Sequence, residues 1–115
     1  MYKIGYVSGM FDILHIGHIN ILKYAKGLCE HLIVAVGTDD FVRWRKKHEP
    51  IMPFEDRCAI VGALRFVDEV VPAINLDKVE AFHRYKFDVM IAGSDHAQES
   101  IYVESEELEE ASSDV

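Results

Sequence analysis

Two histidines, His15 and His18, stand three residues apart with Gly17 between them, just after a glycine turn. Residues 9–18 read Gly-Met-Phe-Asp-Ile-Leu-His-Ile-Gly-His and follow a β-type run at residues 3–8. Side chains three apart on a helix share a face, so both imidazoles can reach one ligand. The start of a helix also offers unpaired backbone N–H groups and a partial positive charge, which suit a phosphate. This stretch therefore predicts a phosphate cradle for a nucleotide.

Other motifs with similar residues fit this stretch less well. The P-loop and the dinucleotide fingerprint both need glycine spacings that are absent here. A zinc site that uses His15 and His18 is an alternative, but no third or fourth ligand stands at a usual spacing. We expect Asp12 to brace the turn through backbone hydrogen bonds rather than to bind a metal. We therefore predict no metal held by the protein itself.

A basic segment supplies further candidate phosphate ligands. Trp44 is surrounded by four cations, Arg43, Arg45, Lys46 and Lys47. Such a mixture of charge and aromatic surface is compatible with nucleic acid, with a solvated turn, or with a triphosphate. Further along, Arg57 has the fork geometry that holds a phosphate through two nitrogens, or it pairs with a nearby acid on its own helix.

Alternating strand and helix patterns position these residues. The predicted strands cover residues 3–8, 31–37, 67–71 and 88–92, and the predicted helices cover 16–28, 53–64, 75–85 and 98–111, with a short helix or ordered loop at 39–47. Alternation of this kind predicts a Rossmann-like, three-layer α/β sandwich with a parallel sheet. Gly9 and Gly93 follow the first and fourth strands, so we expect them to face one crevice at the carboxyl edge of the sheet.

Composition sets the limits of the domain. The chain has 115 residues, half of them hydrophobic, which suits one compact domain. The net charge of −8 is concentrated in residues 99–114, which hold seven acids and no base. The nearly neutral remainder argues against a nucleic-acid-binding protein. We divide the chain into a catalytic core, residues 1–97, and an acidic C-terminal helix or tail of the same domain, residues 98–115.

Composition also bears on the cellular compartment. No apolar stretch is long enough to span a membrane, and no signal peptide is visible at the start of the sequence. Cys29 and Cys58 lie outside any C-x-x-C pattern, so we expect reduced, buried thiols. The prediction is a cytoplasmic protein that binds neither a membrane nor nucleic acid.

The segment with the two histidines resembles the first signature of the cytidylyltransferase-like nucleotidyltransferases, which ends in His-x-Gly-His. Four further segments extend the resemblance in order over residues 3–96, at positions 34–40, 53–57, 67–72 and 87–96. The glycerol-3-phosphate cytidylyltransferases are the group it resembles most. Class I aminoacyl-tRNA synthetases carry a similar His-Ile-Gly-His sequence, but they are far longer than this chain.

The resemblance implies transfer of a nucleotidyl group, cytidylyl in the first place, from CTP to a small phosphorylated alcohol such as glycerol 3-phosphate. Pyrophosphate is released, and Mg²⁺ accompanies the triphosphate. The alternatives are adenylyl transfer from ATP to a sugar phosphate or similar acceptor, and a nucleotide-binding module without turnover. The resemblance also implies a homodimer.

The resemblance assigns phosphate contacts to the two histidines and to a lysine of the basic segment. The catalytic candidates are therefore His15, His18 and Lys46. The candidates for nucleotide and phosphate binding lie around the strand ends, and they are Gly9, Met10, Phe11, Gly17, Lys47, Arg57, Gly93 and Asp95.

The sequence departs from the family pattern at several positions. Met10 replaces a small hydroxyl residue, Ser94 replaces an acid and His96 replaces tryptophan, which weakens the assignment to CTP and glycerol 3-phosphate. Relatives continue into a fifth strand and a signature of the form Arg-Thr-x-Gly-Ile-Ser-Thr-Thr, whereas this sequence stops at Val115. We therefore expect a truncated or shorter member that lacks the last strand and has an open sheet edge.

Overall fold

The computed structural model describes residues 1–93 and 100–104. The helices and strands in these ranges are β1 Tyr2–Gly9, α1 Ile16–Lys26, β2 Cys29–Gly37, α2 Asp39–Lys46, α3 Phe54–Gly62, β3 Glu69–Ala73, α4 Lys78–Tyr85, β4 Val89–Gly93 and β5 Ser100–Glu104. The order confirms the predicted α/β class. Across these residues no helix has the length and apolar character needed to cross a bilayer.

One sheet organises the molecule, in the strand order β3-β2-β1-β4-β5. The first four strands are parallel, and β5 runs antiparallel to β4. The chain moves outward from β1 through β2 to β3 and then returns to the other side of β1 for β4. The strand order thus reverses between β1 and β4, which is where such sheets bind ligands.

Helices cover both faces of this sheet, as the three-layer prediction requires. Helices α1 and α3 cover one face, where Leu22 and Val61 are buried, and α2 and α4 cover the other, where Phe41 and Phe82 are buried. Successive residues of β2 alternate between the two cores. Since both faces are covered, β2 reads as a continuous apolar run in the sequence.

The predicted helix at residues 98–111 is wrong over 100–104, which form β5. The sequence Ser-Ile-Tyr-Val-Glu is rich in β-branched and aromatic residues, which favour a strand, and pairing satisfies the outer edge of β4. The expected open sheet edge is therefore wrong for β4, which pairs with the antiparallel β5. The expected absence of the family's last strand, which would follow residue 111, stays a prediction. Residues 98–99 and 105–111 of the predicted helix lie outside the described residues, and the domain division at residue 97 stays a prediction.

Smaller differences concern where elements begin. Helix α4 starts after Asp77 rather than Asn75, because the Asp77 carboxylate accepts the Glu80 N–H at 3.0 Å while Asn75 accepts the Asp77 N–H at 2.9 Å. Pro72 lies within β3, where a residue without an N–H is tolerated because β3 is an edge strand. Sequence patterns alone do not show which of two nearby capping residues, Asn75 or Asp77, begins the helix.

The cysteine prediction holds in its main point. Both thiols are free; Cys29 is buried, and Cys58 is half-buried on α3. Burial raises the pKa of each thiol above its usual value. Neither cysteine is therefore an activated nucleophile.

Two carboxylates fix the strand register at the amino edge of the sheet. Asp88 accepts the Ile4 N–H and donates its own N–H to the Ile4 carbonyl, both at 2.8 Å. Asp68 binds Leu32 in the same way, at 2.7 and 3.1 Å. The Lys26 ammonium also lies 2.7 Å from the Asp68 carboxylate. Side chains thus fasten β4 to β1 and β3 to β2 at the edge opposite the glycine turn.

We expect Asp68→Asn to flatten the loss of stability in acid. Burial raises the pKa of Asp68, but hydrogen bonds from Lys26 and from the Leu32 backbone outweigh it and hold the pKa below its usual value. The unfolded chain then binds more protons than the folded one, so stability present above about pH 4 is lost as the pH falls through the folded pKa. Urea midpoints between about pH 6 and pH 2 test this, with the exposed Asp56→Asn as the control. Parallel curves for wild type and Asp68→Asn would contradict the prediction.

Candidate active site

The two histidines cap the first helix with their side chains. His15 is the N-cap of α1, and its Nδ1 accepts the Gly17 N–H at 3.0 Å. The Nδ1 of His18 accepts the backbone N–H of His15 at 3.1 Å. The ring centroids lie 4.0 Å apart. This reciprocal arrangement is a capping box, built here from two imidazoles rather than from Ser or Thr with Glu.

The capping bonds decide where the ring protons are. An Nδ1 that accepts a hydrogen bond carries no proton, so each neutral ring carries its proton on Nε2. Both histidines are therefore held as Nε2–H donors beside the positive end of the α1 dipole. Each ring thus keeps one Nε2–H group that the capping bonds do not use and that can donate to an anion.

The electrostatics of His18 agree with this tautomer. Burial lowers the pKa of His18, and the neighbouring His15 lowers it further. The neutral form, which capping requires, is thereby favoured in the folded chain. Because the unfolded chain takes up the proton first, this contribution to stability is present above about pH 6.5 and is lost as the pH falls below it.

The Phe11 side chain packs against the His18 ring. The residue adopts a left-handed conformation with φ of 53° and turns the chain between β1 and α1. Its ring is buried, with its centroid 5.2 Å from that of His18. A Cβ on Gly9 would lie only 3.0 Å from this ring. The Phe11 side chain therefore belongs to the core and packs against His18, and a nucleotide contact at this residue stays a prediction.

Gly17 has a specific steric role in the histidine pair. A Cβ at this position would lie 2.8 Å from Cε1 and 3.1 Å from Nδ1 of His15. The His15 ring can therefore lie over the first turn of α1 only because residue 17 has no side chain.

Arg57 is the buried charge of this region, and it binds the protein itself. Its Nε donates to the Met52 carbonyl at 2.9 Å, and its Nη1 donates to the carbonyls of Met10 and Gly37 at 2.8 and 2.6 Å. Its Nη2 lies 2.6 Å from the Asp39 carboxylate. Since the side chain is fully buried, the structure gives Arg57 a structural role in place of the predicted phosphate contact. Its acid partner comes from α2, not from its own helix.

Asp12 braces the turn, as expected. Its carboxylate accepts the N–H groups of Ile51 and Met52, each at 2.9 Å. Burial raises its pKa, but these bonds, with the charge of Arg57, lower it overall. Within residues 1–93 and 100–104, no three His, Cys, Asp or Glu side chains are grouped to hold a metal ion, so this part of the chain offers no ligand set for zinc.

The two lysines lie at the end of α2. Lys46 is its last residue, and Lys47 is a left-handed C-cap with φ of 62°. Both are exposed, and Lys47 Nζ lies 5.8 Å from the Trp44 ring centroid. In the part of the chain that the structure describes, no hydrogen bond or ion pair joins either lysine to the histidines. The structure thus does not bring the predicted catalytic Lys46 into contact with them.

The remaining candidates lie at the strand ends. Tyr6 of β1 pairs with Met90 of β4, and continuing this register places Gly93 level with Gly9. Both glycines therefore end at the carboxyl edge, on the two sides of the switch point. Asp95, with Ser94 and His96, lies outside the described residues.

A cavity that the sequence did not reveal adjoins these strand ends, on the face covered by α2 and α4. It has a volume of about 170 Å³. Its lining includes Tyr6, Ser8, Gly9, Met10, Phe41, Pro72, Ala73, Ile74, Asn75, Leu76, Asp77, Lys78, Glu80, Ala81, Arg84 and Tyr85. The sequence signal for it was weak: two large apolar residues, Ile74 and Leu76, in a loop after a strand. Gly9 and Met10 connect the cavity with the turn that leads to the histidines.

Known proteins share both the sequence pattern and the fold. Residues 6–114 match the model of the family described as Cytidylyltransferase-like. The chain belongs to this family. The match includes the strand, the glycine turn and the histidine-capped helix on which the candidate site is built.

Three known proteins that are similar to this chain differ in their names. The FAD synthase of Thermococcus kodakarensis is 46% identical over 90 residues, which cover 77% of this chain and 60% of that protein. The bifunctional protein HldE of Granulibacter bethesdensis is 38% identical over 99 residues, covering 85% and 20%. The crystal structure of a lipopolysaccharide core biosynthesis protein from Thermoplasma volcanium GSS1 matches with a TM-score of 0.70 and 31% identity, covering 78% and 73%.

These relatives confirm the cytidylyltransferase-like family and the Rossmann-like fold. They do not support the narrower resemblance to glycerol-3-phosphate cytidylyltransferases, since two of them are an FAD synthase and a bifunctional protein HldE. The chain spans about three fifths of the length of that FAD synthase.

Gly17→Ala separates helix stability from anion binding. Alanine favours a helix by up to about 1 kcal/mol, but its methyl group would push the His15 ring away from the first turn. We expect little change in thermal stability, because loss of the His15 cap offsets the gain from alanine, with nucleoside triphosphate bound about 10- to 100-fold more weakly, the value of one hydrogen bond to a charged group. Calorimetric titration measures this. Gly62→Ala is the control, because a Cβ there meets only Val70 at 3.5 Å. Equal affinity in both variants would refute the role of Gly17.

Removing the Arg57 side chain should destabilise the whole domain. Arg57→Ala leaves Asp39 and three carbonyls without their donor, and breaking a buried ion pair costs about 3–5 kcal/mol. Arg57→Lys should recover only part of this loss, because an ammonium cannot reproduce the guanidinium fork. Urea denaturation measures the free energy of unfolding, with the exposed Arg65→Ala as the control. If Arg57→Ala were as stable as Arg65→Ala, Arg57 would not be structural.

Proposed function

We propose that this chain transfers a nucleotidyl group from a nucleoside triphosphate to a phosphorylated acceptor, with release of pyrophosphate. The observation that carries the proposal is the pair of Nε2–H donors that the capping box fixes at the start of α1. They lie where β1 ends, at the switch point of the sheet. Membership of the cytidylyltransferase-like family supports the same reaction class.

The chemistry needs little from the protein beyond position and charge. An oxygen of the acceptor phosphate attacks the α-phosphorus, and the bond from that phosphorus to the bridging oxygen breaks, so that pyrophosphate leaves with the electron pair. A phosphate monoester is already largely dianionic near neutral pH, so no general base is needed. His15 and His18 would donate to the phosphate oxygens as charge develops, and donors fixed by the backbone need no reorganisation.

The lysines and the β4 end complete the proposed site. Lys46 and Lys47 are exposed cations beside the loop that Asp12 holds against the turn. We assign them to the triphosphate, which they would reach through their long side chains. We assign Gly93, at the end of β4, to the nucleotide, and Asp95 stays a predicted nucleotide contact.

The donor nucleotide is a choice between ATP and CTP. FAD is an adenine dinucleotide, so an enzyme named FAD synthase supports adenylyl transfer, whereas the family name supports cytidylyl transfer. We therefore propose ATP as the donor, with CTP as the alternative. Among acceptors, a flavin phosphate has more support than glycerol 3-phosphate, and a sugar phosphate is the alternative.

Mg²⁺ is expected to accompany the triphosphate. In the described ranges no cluster of ligands would hold the ion by itself, and the Asp12 carboxylate is taken up by two backbone N–H groups. The oxygens of the nucleotide would therefore supply most of its ligands, as is common for Mg²⁺. The bound ion would neutralise part of the phosphate charge. A homodimer and a cytoplasmic location likewise stay predictions.

The first experiment is an assay of pyrophosphate release by the 115-residue chain with Mg²⁺. ATP and CTP are each offered with flavin mononucleotide, glycerol 3-phosphate and a sugar phosphate. Release with one pair establishes the transferase and identifies its donor and acceptor. Nucleotide binding without release for any pair would contradict the proposal and favour a binding module.

Replacing the histidines with ordinary capping residues isolates their chemical role. Serine at an N-cap and glutamine at N3 form a standard capping box, so His15→Ser and His18→Gln keep the helix cap and remove the Nε2–H donor of each ring. We expect turnover to fall about 100- to 1,000-fold in each variant, with the free energy of unfolding within about 1 kcal/mol of wild type. Asn20→Ser, an exposed change on the same helix, is the control. Full turnover in both histidine variants would rule out the proposed phosphate contacts.

A further inference from the structure

We propose that the cavity beside β1, extended outward by Trp44, seats a planar aromatic ring of the phosphorylated acceptor. This inference rests on the proposed function and names the chemical class of the acceptor. It concerns residues that the family signature does not include: the aromatic and aliphatic side chains around the cavity, and one exposed tryptophan.

The cavity is walled by aromatic rings. Tyr6, Phe41 and Tyr85 line it, and the Tyr6 and Tyr85 rings stack with centroids 5.8 Å apart. At its rim, Ile74 is 49% exposed and Leu76 is 53% exposed. Flat apolar walls with an apolar rim bind a flat apolar group, because that group removes the most apolar surface from water.

Trp44 continues this surface outside the cavity. Its side chain is 58% exposed, although tryptophan normally buries most of its large apolar surface. The centroid of its ring lies 6.0 Å from that of Phe41, and the two ring planes meet at 26°, so the rings are stacked. Lys47 places its ammonium 5.8 Å from the Trp44 centroid. An aromatic face beside a cation suits a ligand that combines a ring with a phosphate.

The cavity adjoins the turn that leads to the proposed phosphate site. Gly9 and Met10 line it, and the next residue, Phe11, packs against His18. Residues 9–11 therefore connect the cavity with the histidines, and we infer that a ligand seated in the cavity places its phosphate at this turn.

The charges around the cavity admit an anionic ligand. Of the two lining acids, Glu80 pairs with Arg84 at 3.1 Å and Asp77 caps α4. Burial raises the pKa of Tyr6 to about 12, and Tyr85 adds to this, so its phenol stays uncharged. Lys78 supplies a further cation to the lining. A polyol phosphate such as glycerol 3-phosphate would leave the aromatic walls without a partner.

Flavin mononucleotide is the probe, because it joins a flat ring system to a phosphate and an FAD synthase is among the relatives. Calorimetry measures its dissociation constant for wild type, Trp44→Ala and Trp44→Phe in the 115-residue chain. We expect Trp44→Ala to weaken binding about 5- to 100-fold, the range for loss of one stacking partner, and Trp44→Phe to recover most of it. Trp44→Phe, which keeps an aromatic ring beside Lys47, should leave the affinity for ATP unchanged. Tyr24→Ala, which removes a 46%-exposed ring from α1, is the control and should behave as wild type.

A spectroscopic readout checks the geometry. Stacking on an indole quenches flavin fluorescence, so quenching should be strong in wild type and weaker in Trp44→Ala at saturating protein. Equal flavin affinity in wild type and Trp44→Ala, or acceptance of glycerol 3-phosphate with no flavin binding, would overturn the inference while leaving nucleotidyl transfer intact. Trp44-dependent flavin binding without pyrophosphate release from any pair would support the ring site and contradict the proposed reaction.

Discussion

The buried guanidinium of Arg57 joins the elements that meet at the carboxyl edge of the sheet. Arg57 binds the end of β1 through Met10, the end of β2 through Gly37, and the start of α2 through Asp39. Burying a charge is costly unless it is paired and hydrogen-bonded, and here four bonds meet that requirement. Met10 lines the cavity and the adjacent Phe11 supports His18. The positions of the cavity and of the histidines therefore both depend on the hydrogen bonds between Arg57 and this turn.

The capping box adds a second constraint from the other side of the turn. The bonds that begin α1 also set the tautomer of His15 and His18, so one nitrogen of each ring serves local folding and leaves the other for the proposed ligand contact. A serine cap would begin the helix equally well. The choice of imidazoles at these positions is thus explained by the second ring nitrogen, which the helix leaves available.

Sequence patterns predicted the features that depend on residues close together in the chain. The buried run of β2 and the His-x-Gly-His turn indicated a parallel sheet with a phosphate site at its carboxyl edge. The role of Arg57 was not predictable, because its partner Met10 lies 47 residues away and an arginine on a short helix reads the same whether buried or exposed. Strand β5 was not predicted because its short apolar run, residues 101–103, lies within a longer and mostly acidic stretch that resembles a solvated helix. The cavity combines four elements distant in sequence, and no single window of residues shows it.

The carboxylates of Asp68 and Asp88 act at the edge of the sheet opposite the site. Because they fix the alignment of β4 with β1 and of β3 with β2, the exposed loops at the other edge contribute less to the register of these strands. Evolution can then exchange residues such as Trp44, Ile74 and Leu76 at small cost to folding. A scaffold with this separation can diversify its substrates gene by gene, and the differing names of this chain's relatives are the outcome that such freedom would leave behind.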